Sequence, residues 1–145
     1  MFSGEAGAAM AQAMMPRYAK AQTISFTDPR IKATYVTYPS PGGNSGTMRG
    51  YLVRPEGKGP FPVVLVVHEN RGLNPHIEDI TRRIALDGYL AFAPDAMTPL
   101  GGYPGDEEKA VKMFGTLDPV LRLNDLIAGA NVVKNHAESN GRLGA

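Results

Sequence analysis

His68-Glu69-Asn70-Arg71-Gly72 concentrates more chemistry in five residues than any other stretch of the chain. A carboxylate such as Glu69 can act as a base or orient one, and the backbone N–H that follows it, on Asn70, can bind an oxyanion. The same cluster has a purely structural reading, in which His68 and Glu69 satisfy loop backbone groups and Arg71 pairs with Asp95 or Glu69. A metal site built from His68, Glu69 and His76 is disfavoured, because their spacing matches no helical pair of ligands and His76 falls on the first turn of its helix. His136 lies late in a helix, where a cation suits the dipole, and is expected at the surface. Gly101-Gly102-Tyr103-Pro104-Gly105 lacks the Gly-Lys-Ser/Thr ending of a phosphate loop and reads as a substrate-side loop or a connector. Ser139 and the other serines sit in no G-x-S-x-G context, the pattern that a sterically tight nucleophile elbow requires. The 145 residues contain no cysteine, so these residues supply no disulfide, thiolate metal site or thiol nucleophile.

The elements around the cluster explain why its position matters. Val63-Val64-Leu65-Val66-Val67 is apolar without alternation, as suits a strand covered on both faces in a parallel sheet. The cluster therefore sits at the carboxyl end of a buried strand, where open α/β sheets bind ligands. Asn74-Pro75 opens a helix, with Asn74 as N-cap and Pro75 at the first helical position, where its missing N–H costs nothing. Ile77, Ile80, Ile84 and Ala85 give that helix an apolar stripe. Arg82 and Arg83 fall near its C-terminal end, favourable to the dipole, and Gly88 caps it. Tyr89–Asp95 is a second buried strand, completing a βαβ unit whose crossover should be right-handed.

Upstream, Ala33–Tyr38 and Met48–Arg54 read as an antiparallel pair at the sheet edge, joined by the turn-rich Pro41–Gly46. Downstream, Asp106–Phe114 is expected as a short helix. Asp118-Pro119 starts another, with Leu123, Leu126, Ile127, Ala130 and Val133 as its buried face and Asn140-Gly141 as its end. Arg142–Ala145 then begins a further strand.

Composition narrows the classes. Fifteen Lys and Arg against fourteen Asp and Glu give a formal net charge of +1, and the cations are scattered, so no nucleic-acid partner is indicated. No apolar run approaches the ~20 residues needed to span a bilayer. Residues 1–22 stand apart, rich in Ala, Met and Gly. They read either as a disordered leader or as the remnant of an export signal, since Ala19-Lys20-Ala21 has the small-x-small form of a cleavage site. The compartment is accordingly open between cytoplasm and periplasm. Residues 23–145 form the single structured domain.

Val63–Val67 followed by His68-Glu69-Asn70-Arg71-Gly72-Leu73-Asn74-Pro75, then Gly88-Tyr89 and Ala93-Pro94-Asp95, resembles the dienelactone hydrolase (carboxymethylenebutenolidase) family. Thr27-Asp28-Pro29, Tyr38-Pro39-Ser40-Pro41 and Gly101–Gly105 resemble one bacterial branch of it. The likeness covers roughly residues 22–145. It implies an α/β fold: part of an α/β-hydrolase domain, a mostly parallel sheet with an antiparallel N-terminal strand pair and flanking helices. It also implies cleavage of small-molecule esters or lactones by a Cys-Asp-His triad, with no cofactor and no metal. In the family a glutamate equivalent to Glu69 contacts the cysteine, and the N–H equivalent to that of Asn70 supplies half of the oxyanion hole. The family's substrate-carboxylate arginine aligns near Pro99, so that role is not inherited. The G-x-C-x-G nucleophile elbow would follow the strand that Arg142 begins, so the chain is expected to stop short of it and to be inactive alone. The alternatives are a non-catalytic binding or assembly module and one half of a split hydrolase. The strand carrying the elbow is expected beside Val63–Val67, and a chain cut before it would leave that apolar edge open to self-association.

Overall fold

A computed structural model describes residues 22–145, so all but the last residue of the expected 1–22 leader lies outside the described residues. The chain forms a five-stranded sheet in the order β1-β2-β4-β3-β5 with helices packed on it. Strands β1 (Ile31–Ser40) and β2 (Gly46–Pro55) are an antiparallel hairpin paired from Ile31 opposite Pro55 to Ser40 opposite Gly46. The pair runs longer than the β-branched cores of the two segments, because the ladder continues up to the Pro- and Gly-rich turn.

Strand β3 (Phe61–Leu65), helix α1 (Pro75–Leu86) and strand β4 (Leu90–Asp95) form the expected strand–helix–strand unit, with β3 and β4 parallel neighbours. β3 starts and ends two residues earlier than the apolar run suggested. Val66 N–H still donates to Phe92 O at 2.8 Å, whereas the side chain of Val67 is exposed. β4 also pairs antiparallel with β2, from Arg49 opposite Asp95 to Val53 opposite Ala91. The sheet is therefore mixed, with all six residues of β4 buried.

Side-chain alternation divides the core in two. Tyr51, Val53, Val66, Ala91 and Ala93 face α1 and meet Ile77, Ile80, Ile84 and Ala85. Met48, Leu52, Val63, Leu65, Leu90 and Phe92 face the other way, toward Ala128, Ala130 and Val133 of helix α3 (Pro119–Lys134). A smaller cluster of Met97, Ala110 and Leu117 packs helix α2 (Glu107–Phe114) over the loop that follows β4.

Helix α1 begins as its sequence dictates: the Asn74 side chain accepts from Ile77 N–H at 3.0 Å, with proline next. Its Arg82, near the dipole's negative end, is buried, 1% exposed. Arg82 Nε donates to Ile24 O at 2.7 Å and Nη1 to Tyr51 Oη at 2.9 Å. Asp79, one turn away, accepts from the N–H groups of Thr23 and Ile24, both at 2.9 Å, and lies 3.7 Å from Arg82. A buried ionic pair with these extra hydrogen bonds fastens the start of the described chain to α1.

Helix α3 departs furthest from expectation. Val133 is buried as expected, but Leu123 and Ile127 are 55% and 50% exposed, and Asp125 and Gly129 are buried in their stead. Close approach decides this. A Cβ on Gly129 would lie 3.0 Å from both Pro94 Cγ and Tyr38 Oη, tighter than an ordinary contact, so glycine favours this close approach of the helix to the sheet. Asp125 accepts from Ser40 Oγ at 2.6 Å and Asn44 N–H at 3.1 Å, and its carbonyl accepts from Tyr38 Oη at 2.8 Å.

The helix also ends earlier than expected, at Lys134 with Asn135 as C-cap. Asn140-Gly141 belongs to strand β5 (Ser139–Gly144), which therefore begins three residues before Arg142. β5 pairs parallel with β3, and its register shifts between Ser139 opposite Phe61 and Leu143 opposite Val63. Gly141 takes φ +85 in that irregularity, a conformation open to glycine. β5 itself thus covers β3, and the outer edge beyond it belongs to β5, whose residues from Asn140 onward are exposed.

Candidate functional site

The loop between β3 and α1 turns sharply: Gly72 N–H donates to Glu69 O at 3.1 Å, and Asn74 N–H donates to Gly72 O at 2.9 Å. Gly72 has φ +82, and a Cβ there would lie 2.6 Å from Met97 Sδ, so both conformation and space require glycine. The turn leaves Glu69, Asn70 and Arg71 exposed at the carboxyl end of β3. Among the described residues, the Glu69 carboxylate and the Asn70 N–H have no hydrogen-bond partner.

His68 is the buried member of the cluster, 6% exposed. Its Nδ1 lies 2.7 Å from Glu69 O, and its Nε2 accepts from Ala96 N–H at 3.0 Å. The Phe114 ring meets it edge-on, centroids 6.0 Å apart. Burial pushes the imidazole below the ordinary histidine value, opposed by the hydrogen bond to Glu69 O and by Asp95, and reinforced by Arg122. The structure does not bring His76 to this place: it is exposed on the first turn of α1, and both ring nitrogens of His68 are already engaged.

Arg71 pairs with neither of its expected partners. Its Nε lies 3.4 Å from Glu107 Oε2 at the start of α2. Glu107 Oε1 also accepts from Asn74 Nδ2 and Tyr103 Oη, each at 3.4 Å. The glycine-rich loop thus joins the same rim through Tyr103. Asp95, at the end of β4, accepts from Met97 N–H at 3.0 Å and faces Arg49 across 3.9 Å. Burial raises its pKa, while the Met97 hydrogen bond, His68 and Arg49 act the other way. Arg49 also lies over the Tyr35 ring, 3.8 Å from its centroid, and Tyr35 Oη donates to Glu78 at 2.5 Å. Burial raises the Glu78 pKa, partly offset by that bond. His136 lies beyond the end of α3, half-buried, with Nδ1 accepting from Glu138 N–H at 3.0 Å, so its expected place on the helix is corrected.

Sequence reasoning missed Glu107 and Arg49 as parts of this rim. The one available signal was that both are charged beside segments heading for the carboxyl ends of strands, and spacing alone assigns neither a partner.

The sequence model of the dienelactone hydrolase family matches residues 48–145. A chain from Escherichia coli strain K12 named as a hydrolase fragment, YghX, is 53% identical over 107 residues, which are 73% of this chain and 91% of that one. A second protein of the same strain, named as a carboxymethylenebutenolidase, is 38% identical over 123 residues, 83% of this chain and 44% of the relative. A crystal structure named as a dienelactone hydrolase of Klebsiella pneumoniae superposes with a TM-score of 0.60 at 31% identity, covering 77% of this chain and 48% of that one. The chain thus spans under half the length of the latter two and most of the first.

Proposed function

The chain belongs to the dienelactone hydrolase family, and from that premise we propose that it is the nucleophile-facing front part of an ester or lactone hydrolase, inactive as these 145 residues alone. The observation that carries the reading is the β3–α1 turn. It presents, unpaired among the described residues, the carboxylate of Glu69 and the N–H of Asn70 together at the carboxyl end of a buried strand. In acyl transfer a thiolate adds to the carbonyl carbon, and the oxygen becomes an oxyanion that preorganised N–H groups stabilise. Asn70 supplies one such donor, and Glu69 stands beside the thiolate and influences its ionisation. The cysteine, its acid and its histidine come from residues that follow the strand at β5, and the second oxyanion donor follows the cysteine.

The test is an assay of the purified 145-residue chain with activated esters such as p-nitrophenyl acetate. The expected result is hydrolysis at the background rate, and turnover above background overturns the inactivity. DNA following the codon for Ala145 that reads G-x-C-x-G in any frame supports the reading of a front part.

A second reading, an assembly module or one half of a split hydrolase, is favoured by the exposed outer side of β5 and by the uncovered Leu123 and Ile127 of α3. Such an edge pairs readily with another strand. Size-exclusion chromatography with light scattering separates the two: a defined dimer supports the module, and ill-defined aggregates support the front part.

A further inference from the structure

The Glu69–Asn70 peptide carries both a carbonyl that is held and an N–H that meets no acceptor among the described residues. A trans peptide points these two groups to opposite sides. Glu69 O lies 2.7 Å from His68 Nδ1 and accepts from Gly72 N–H at 3.1 Å. His68 and Gly72 are both buried, so the carbonyl turns inward. The Asn70 N–H faces outward, where no acceptor among the described residues meets it.

The imidazole that holds this carbonyl is fixed at its far end as well. Ala96 N–H, in the turn after β4, donates to His68 Nε2 at 3.0 Å. A ring nitrogen that receives an N–H carries no proton, so in the neutral ring the proton is on Nδ1 and is donated to Glu69 O. One imidazole therefore spans the loops that follow two adjacent parallel strands, β3 and β4. The groups around it are the Phe114 ring of α2, Asp95 at the end of β4, and Arg122 of α3, whose guanidinium lies 4.3 Å from the Phe114 centroid.

We propose that His68 is a positioning residue: its Nδ1–H tautomer, strung between Ala96 N–H and Glu69 C=O, sets the plane of the Glu69–Asn70 peptide and so aims the Asn70 N–H. The catalytic meaning of that aim rests on the reading of Asn70 as an oxyanion donor, but the aiming itself is measurable without catalysis. Protonation would place a second N–H against that of Ala96 and break the bridge. Glutamine can rebuild both bonds, donating through its amide and accepting through its carbonyl, whereas alanine can rebuild neither.

The experiment is nitrogen-15 NMR on the 145-residue chain. The expected spectrum at pH 7.5 shows His68 protonated at Nδ1 and hydrogen-bonded but unprotonated at Nε2. On acidification the Asn70 and Ala96 amide signals move with the midpoint of the His68 ring, which falls below the ordinary value. In H68A, Ala96 N–H exchanges at least about tenfold faster, a local opening rather than a global one. The Asn70 N–H residual dipolar coupling collapses toward zero, while the sheet amides of Val53 and Phe92 keep theirs. H68Q restores both signals toward the wild type.

The opposite tautomer, an Asn70 coupling unchanged in H68A, or an H68Q spectrum indistinguishable from that of H68A overturns the proposal. If H68A does not fold, the wild-type tautomer and titration decide alone. Ester turnover by the unsubstituted chain overturns the inactivity proposed above without touching these signals, so the two readings fail separately.

Discussion

Helices α1 and α3 cover opposite faces of one sheet, and they do so by different means. α1 presents Ile77, Ile80 and Ile84 to a floor that includes Ala91 and Ala93, and adds the buried Asp79–Arg82 pair that binds Thr23 and Ile24. α3 turns Leu123 and Ile127 outward and meets the sheet through Gly129, Val133 and a buried carboxylate. An apolar stripe therefore predicts the buried face of a helix only where side chains fill the gap. Where backbone approaches backbone, the small residue and its polar neighbour decide.

The comparison breaks most readily at α1. Asp79→Ala removes the acceptor for three groups of Thr23 and Ile24 and strips Arg82 of its counter-charge. Loss of one partner from a buried pair costs about 3–5 kcal/mol, to be read as a fall in the urea midpoint. A loss under 1 kcal/mol would mean that the N-terminal fastening contributes little.

At α3, Asp125→Ala leaves Ser40 Oγ and Asn44 N–H without their acceptor. Only Ser40 is fully buried, Asn44 being half-buried, and one unsatisfied buried donor costs about 1–3 kcal/mol, so the same denaturation measurement should show a loss smaller than that of Asp79→Ala. If the loss is the larger of the two, the carboxylate rather than the close approach at Gly129 dominates the α3 contact.

Acid probes the loops between the helices. Burial lowers the His68 pKa in the folded chain, so as pH falls through the ordinary value of about 6.5 the unfolded chain takes the proton first. The contribution of His68 is present above that pH and is lost as pH drops through the lower folded value. Stability of the wild type relative to H68Q should therefore decline between pH 7 and 5, and parallel curves for the two chains would contradict the bridge.

The smallest effect is expected from Leu123→Ser with Ile127→Ser. Exposed positions of this kind change stability by about 0.5 kcal/mol or less, but solubility should rise and any self-association should weaken. A loss of 2 kcal/mol would show that this face is covered after all.

What the sequence made readable follows the same division. Asn74-Pro75 and the isoleucine stripe announced α1, because its cap and its packing are local. The burial of Arg82 was not readable, because its partners, Ile24 and Tyr51, lie far away in sequence. For α3, Val133 and Ala130 of the apolar set do meet the sheet, but Leu123 and Ile127 give way to Asp125 and Gly129, a shift of face that hydropathy does not reveal. Asn140-Gly141 resembled a helix stop, yet Gly141 serves a register shift that only the β3 partner strand imposes. At the candidate site, the place of Glu69 and Asn70 after a buried strand was legible. The contacts of Arg71 with Glu107 and of His68 with Ala96 were not, since each joins separate loops. Family membership was legible from the residues from Val63 to Pro75, and the matches to known proteins bear it out.

The antiparallel seam between β2 and β4 has a consequence for the order of folding. The β1–β2 hairpin closes across a short turn, and β3, α1 and β4 follow one another along the chain, so each half gains its contacts from near neighbours. The seam instead joins Arg49 with Asp95 and Val53 with Ala91, pairs that bring together sequence-distant segments. Their chain entropy must be given up before any ladder bond compensates it. The two halves are therefore expected to acquire structure independently and to dock late, with Tyr51, Val53, Ala91 and Ala93 leaving water in the rate-limiting step.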